Sequence, residues 1–388
     1  MTTAVKYFHH GVPGAPSLSN TAGSLLAVLQ ACLVDGWGSA TVDSLVVSGG
    51  VATVTIAAGH PFEPGAVASI AGATVTGGTV NGEQRVLSTT SNSYTFDATG
   101  IPNQAATGVI THKLAPLGFA RPYNSGNVSV FRSADMAGTR LFLRIDDTGT
   151  TTARAVGYED MTDVNSGTGP FPTGAQASGG LHVLKRSSGG GNADWVLVGD
   201  SRGWLMNVRH QASGYSTWGF GDVRSRKAAD GWACALAAAA SDLTGSAGVT
   251  LSDLLYQGSS TAHMYVARGS SGVGGSVQLG RGAWCPVLPA TAANYSGGEA
   301  GGHVAYPNVA DNALLLSDIH LTEASGTVLR GELPGLYYCP QRLGSTHFAA
   351  MDKVTGITGL TGRTLIALVC GGGGAFGRGF VDVTGPWR

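Results

Sequence analysis

Ser44-Leu45-Val46-Val47-Ser48-Gly49-Gly50-Val51-Ala52-Thr53-Val54-Thr55-Ile56 is two short runs of alternating apolar and polar residues around a Gly-Gly turn. A period of two puts every second side chain on one face, as in strands half buried against a partner sheet. The pattern continues in Ala66–Ile70, Arg85–Ser88, Ser93–Phe96 and Thr107–Thr111. Turn residues separate the runs: Pro61 to Gly65, Asn81-Gly82 and Asn92. Six or so short strands at roughly ten-residue spacing predict a small β-sandwich or open barrel. Its expected limits are residues 43–113, inserted between an N-terminal arm and helix (1–42) and a longer antiparallel β body (114–388). The expected class is therefore mainly β.

The chain has 388 residues, enough for a sizeable core and for two or three domains. Glycine supplies 61 of them, about 16% against the usual ~7%, and charged residues are 12% against ~25%. Disorder is a poor explanation, because disordered chains run to high charge and few aromatics. Glycines between apolar runs suit a many-turned β protein. So little charge implies an exterior partly covered by other subunits, since lone soluble domains carry mixed charged surfaces. A net charge of −1 leaves no electrostatic footprint for nucleic acid. The longest apolar run, near Thr364–Cys370, is too short to span a bilayer. Met1–His10 lacks the apolar core of a signal peptide, so assembly in the cytoplasm is expected. Cys32, Cys234, Cys285, Cys339 and Cys370 are odd in number and scattered, which predicts buried free thiols.

In chain order, Tyr7 to Pro16 reads as an extended arm. Ser17–Asn20 offers cap oxygens for a helix running to about Val34, with Leu25, Val28, Leu29, Cys32 and Leu33 on one stripe and Gly36 as C-cap. That stripe serves either an assembly interface or packing within its own domain. Beyond the insert, strands are expected at Leu141–Ile145, Ala153–Tyr158, Trp195–Gly199, Trp204–Val208, Ser216–Val223, Gly231–Ala240, Met264–Arg268, Ser276–Leu279 and Ala313–Leu321. Thr364–Cys370 and Gly379–Val383 make a closing pair, and Glu159–Pro172 is a polar loop.

Several patterns look chemical. Gly372, Gly374 and Gly377 match GxGxxG, but a dinucleotide site needs a following helix, and only eleven residues remain. Gly199-Asp200-Ser201-Arg202-Gly203 matches the GxSxG nucleophile elbow, yet the strand-like Trp204–Val208 follows it, so a hairpin turn is the simpler account. Asp160, Asp163 and Asn165, with Gly167 behind them, offer calcium-type oxygens at a spacing unlike an EF-hand; capped turns use the same residues. The ten histidines fit no HExxH pattern, and His9-His10 lies in the arm. Glycan cleavage would need two carboxylates facing one sugar, and sequence cannot pair the sparse acids.

Tyr7–Pro16 running into Ser24–Gly38, the stretch Gly157–Pro172 and the ending Val381–Arg388 together resemble a family of tailed-bacteriophage virion proteins. The insert, with Val51–Ile56, His60-Pro61-Phe62, Gly65, Asn81-Gly82 and Tyr94–Phe96, resembles a small β module common in phage tail and fibre proteins; Cys234–Leu343 shares least. Such families are structural, so the resemblance implies no catalytic, cofactor-binding or metal position. It implies a non-enzymatic structural subunit of the virion, in the tail or baseplate region, assembled in the host cytoplasm with other virion proteins and copies of itself. Two alternatives stay open: a receptor-binding tail protein that recognises host surface glycans, and a capsid decoration or minor capsid protein. A cell-wall hydrolase centred on Ser201 is a third, from a different class.

Overall fold

The structure, a computed structural model, describes residues 5–186, 191–212, 214–239, 254–257, 263–283, 294–298, 304–323, 327–343, 347–372 and 375–388. The protein is mainly β, 47% strand against 4% helix. Residues 40–114 make an eight-stranded antiparallel sheet of their own: Ala40–Thr41, Thr111–Leu114, Val67–Ala71, Gly82–Thr89, Ser93–Asp97, Val51–Thr55, Ser44–Ser48 and Gln104–Ala105. The period-two pattern has its expected consequence. Leu45, Val47, Ala52, Val54, Tyr94 and Phe96 point into a core that the arm joins through Val12, with Ala15 and Trp37 packed against it, while Val46, Val51 and Thr53 stay exposed. The last strand starts at Thr111 rather than Thr107, which makes only an isolated bridge to Thr74.

The segment leaves and re-enters the body at one place. Leu114 N–H donates to Trp37 O at 2.9 Å, and Ala40 pairs with His112. Close termini are the condition for threading one domain into another. Deleting residues 42–113 and bridging the gap with a short Gly/Ser linker is therefore expected to leave a body that unfolds cooperatively, a few degrees below the intact chain. Scanning calorimetry checks this; an insoluble or molten product would show that the insert completes the body.

Two sheets build most of the rest, beside three two-stranded pairs among the described residues. Phe119–Ser125, Val128–Ser133, Phe142–Asp146, Thr152–Tyr158 and Leu181–Leu184 form a five-stranded antiparallel sheet. A larger sheet, fourteen-stranded among the described residues, runs from Lys6–His9 through Asp194–Gly199, Gly203–Gln211 and Gly214–Asp222 to Leu365–Gly372 and Ala375–Asp382. It continues through Val328–Tyr338 and Ser317–Glu323 to Gly280–Ala283. Asp194–Gly199 is buried on both faces, which explains its unbroken apolar run. Trp195 and Leu197 join a core shared with the helix and the five-stranded sheet, while Val196 and Val198 join the core on the opposite face.

The helix spans Ser24–Gln30 and ends in a π-helical turn, Ala31–Asp35, closed at Gly36, whose N–H donates to Ala31 O. Leu25, Val28, Leu29, Cys32 and Leu33 are all fully buried in the body's own core. The expected cap from Ser17–Asn20 is corrected: the N-cap is Gly23, and the carboxylate of Asp147 takes the first backbone N–H groups instead.

Other boundaries differ from expectation. The arm contains a strand, Lys6–His9, paired with Asp194–Gly199. The loop Glu159–Pro172 contains the strand pair Asp160–Met161 and Gly167–Thr168. Of Ala313–Leu321, only the part from Ser317 is strand, and of Gly231–Ala239, only Cys234–Ala237; Ala240 lies outside the described residues. The eleven-residue strand Val328–Tyr338 escapes the alternation rule because Gly331, Pro334 and Gly335 interrupt its pattern. Cys32, Cys234, Cys339 and Cys370 are buried free thiols; Cys285 lies outside the described residues.

Candidate functional site

The GxSxG match is the turn of a hairpin. Asp194–Gly199 pairs antiparallel with Gly203–Gln211, and Asp200 Oδ1 accepts from Arg202 N–H at 2.8 Å and Gly203 N–H at 3.0 Å. Ser201 Oγ donates to Asp135 Oδ2 at 2.7 Å, where a nucleophile would need a histidine or another base. Burial would raise the Asp135 carboxyl, but hydrogen bonds from Ala137 N–H, Ser201 and Arg202 outweigh it and hold the group at about 2. A carboxylate so acidic is a poor acceptor for the serine proton at neutral pH. Around the turn, Arg388 bridges the Asp200 carboxylate and the Asp222 carbonyl. These groups lock the hairpin to the loop at Asp135–Thr139 and to the last residue.

The Asp160–Gly167 segment folds back on the outer face of the five-stranded sheet. Met161 and Val164 are buried there against Val130 and Phe142. Asp163 Oδ1 caps the turn, accepting from Asn165 N–H at 2.6 Å and Ser166 N–H at 3.0 Å. Arg144 Nε donates to Val164 O at 2.6 Å, placing a guanidinium beside the oxygens that a cation would use. Among the described residues no group of three or more His, Cys, Asp or Glu side chains is placed to hold a metal. Phe171 anchors the far end of this loop over Gly157, where a Cβ would lie 2.2 Å from the Phe171 ring.

Gly372 and Gly377 belong to two paired strands, Leu365–Gly372 and Ala375–Asp382, so the chain from Ala375 is strand rather than helix. Gly374 lies outside the described residues. His9 and His10 each face an acid: Nε2 of His9 is 3.1 Å from Glu63 and that of His10 is 3.2 Å from Asp194.

The densest polar constellation is the seam between insert and body. Lys6, 1% exposed, places Nζ 2.5 Å from Glu83 Oε1 and donates to Pro116 O. Burial pulls its ammonium below the ordinary value, and Glu83 offsets part of that pull. Arg85 donates to Gly65 O and Val5 O at 2.8 Å and to Val383 O at 3.2 Å. Lys353 Nζ donates to Tyr7 Oη at 3.0 Å and to Pro64 O at 2.8 Å. Three cations thus tie the insert to both the first and the last strands of the body. Alternation and spacing could not show this, since the partners are up to 298 residues apart.

The architecture is that of a mainly antiparallel β protein with a β insert clamped onto its larger sheet. No known family model matches the chain, and no curated protein matches it.

Proposed function

We propose that the chain is a non-enzymatic structural subunit of a tailed-bacteriophage virion, in the tail or baseplate region, and that it works through subunit–subunit interfaces. The observation that carries this reading is the outer face of the insert. Ser44, Val46, Ser48, Val51, Thr53, Thr55, Ser93 and Thr95 line adjacent strands there, with Leu87 beside them. Val46 is 41%, Val51 38% and Leu87 54% exposed; on Ser44–Ser48, Val51–Thr55 and Ser93–Asp97 the one ionic outer group is Asp97 at the margin, and Glu83 and Arg85 on the strand of Leu87 are turned to the seam with the body. A face of small hydroxyl and aliphatic side chains carries almost no charge to desolvate, and depletion of charge marks the core of subunit interfaces. Further support comes from the chemical-looking motifs, whose polar groups are spent on turns, and from the resemblance of both chain ends to virion proteins.

Quantitative mass spectrometry of purified particles tests the reading. A small multiple of about three or six copies would fit tail or baseplate rings, whereas hundreds would indicate capsid decoration. A protein that is missing from particles and monomeric at all concentrations would overturn it. The hydrolase alternative has its own test. Ser201→Ala is expected to leave host lysis unchanged and to lower stability by about 1 kcal/mol through the lost bond to Asp135.

A further inference from the structure

The insert also holds a cleft of about 910 Å³, within the ~300–1,000 Å³ span of ligand sites. It arises because Gly82–Thr89 serves two sheets. Its first half pairs with Val67–Ala71, from Val67 opposite Arg85 to Ile70 opposite Gly82. Its second half pairs with Ser93–Asp97, with a bulge between Val86 and Ser88. Past Phe96 the neighbouring chain turns away, where Ala98 N–H donates to Gly50 O, and a wedge opens between residues 77–85 and 97–101. The far end is closed where the loops touch: a Cβ on Gly78 would lie 3.1 Å from Ile101, and one on Gly77 2.7 Å from Pro102.

The lining selects among ligand chemistries. An anion is disfavoured, because the Arg85 guanidinium is engaged by three carbonyl oxygens while Glu83 and Asp97 are acidic. An apolar ligand is disfavoured, because only Val67, Ala98 and Ile101 offer hydrocarbon. A metal ion would need a cluster of ligating side chains, and the described residues hold none. A cation gains little either, because Lys6 beside Glu83 and Arg85 in the lining balance the two carboxylates, and what remains is a neutral ligand dense in hydroxyl groups. Glu83 gives one oxygen to Lys6, and Asp97 gives one to Thr99, which leaves each an outer oxygen to accept from ligand hydroxyls. Gln84 donates to Val80 O and keeps its carbonyl oxygen. Open space faces the Cα atoms of Gly82 and Gly100, so a ring can approach the backbone closely.

We propose that this cleft binds a short neutral oligosaccharide, an activity independent of the assembly role. No aromatic side chain lines the cleft to provide a stacking platform, so the affinity per site is on the order of millimolar. The test is a titration of the isotope-labelled full chain with maltotriose, cellotriose and triacetylchitotriose up to about 20 mM, read from backbone amide shifts. Saturable shifts confined to Gly78, Gly82, Thr99 and Gly100 are expected with at least one sugar. Thr99→Leu, which adds bulk at an exposed loop position without an aromatic face, should weaken binding at least tenfold with thermal unfolding lowered by no more than a few degrees, and Gln84→Ala should weaken it several-fold. Three outcomes overturn the proposal: no saturable shift with any sugar, shifts that survive both Thr99→Leu and Gln84→Ala, or a stronger response to a sulfated trisaccharide or an extended peptide.

Discussion

Asp147→Ala is expected to lower the stability of the protein by about 3–5 kcal/mol, the usual consequence of stranding one member of a buried ion pair. Asp147 and Lys185 are both fully buried, with Nζ 2.5 Å from Oδ1. Lys185 also donates to Thr21 O at 2.8 Å and Gly149 O at 2.7 Å. The other carboxylate oxygen takes Leu25 N–H at 2.9 Å and Leu26 N–H at 3.2 Å, so this residue caps the helix from over a hundred positions away. Burial pushes the Asp147 carboxyl up, and Lys185 and the two N–H groups recover only part of the shift. Desolvation of the carboxylate therefore outweighs the attraction, and the pair specifies one docking geometry more than it stabilises the fold. A second variant separates the two roles. Adding Lys185→Met to Asp147→Ala removes the stranded ammonium, so stability should return to within about 1 kcal/mol, the worth of the lost cap. Urea unfolding of both variants measures this, and a single variant that loses less than about 1 kcal/mol would refute the assignment.

Acidification from pH 7 to 4 should be the second large effect. His112 is 2% exposed, packed between Phe62 and Tyr94, with Nδ1 3.2 Å from Tyr94 Oη and Nε2 without a hydrogen-bond partner. Burial, then the nearby His60, lower its pKa to about 4; burial, then Arg186, do the same to His210. Both folded values lie below the ordinary 6.5. The unfolded chain therefore takes up these protons first. The stability that depends on neutral rings is complete above pH 6.5 and is lost as pH falls from there toward 4. Each ring should account for about 3 kcal/mol over that window. Asp135, held near 2, loses its contribution only at lower pH still. His112→Phe keeps the ring packing and removes one titration. Its loss of stability between pH 7 and 4, read from urea midpoints, should be smaller by about 3 kcal/mol. An unchanged slope would show that His112 is not held neutral by burial.

Strand alternation and turn residues carry real information here because each insert strand has one wet and one dry face. Leu45, Val47, Val54 and Phe96 are inward for the same reason that they recur at every second position. The helix stripe is legible on the same grounds. Val328–Tyr338 is not, because glycines and a proline erase the local pattern and its pairing with Ser317–Glu323 and Ala375–Asp382 supplies the strand. Asp147 shows the limit most plainly. Beside Asp146, Thr148 and Gly149 it looks like one more turn acid, and its backbone does lie at a strand end, but its carboxylate works on the distant helix.

By itself, then, the sequence determined the mainly β class, the helix stripe, the hairpin around Ser201 and the alternating strands of residues 44–111. All of these follow from interactions between residues a few positions apart. Only the tertiary structure decided that Lys6, Arg85 and Lys353 clamp the insert, that Lys185 is the partner of Asp147, and that a cleft opens where one strand serves two sheets. A charge buried far along the chain leaves no periodic trace, and its partner is chosen by desolvation in the packed state, where every unpaired ion is costly.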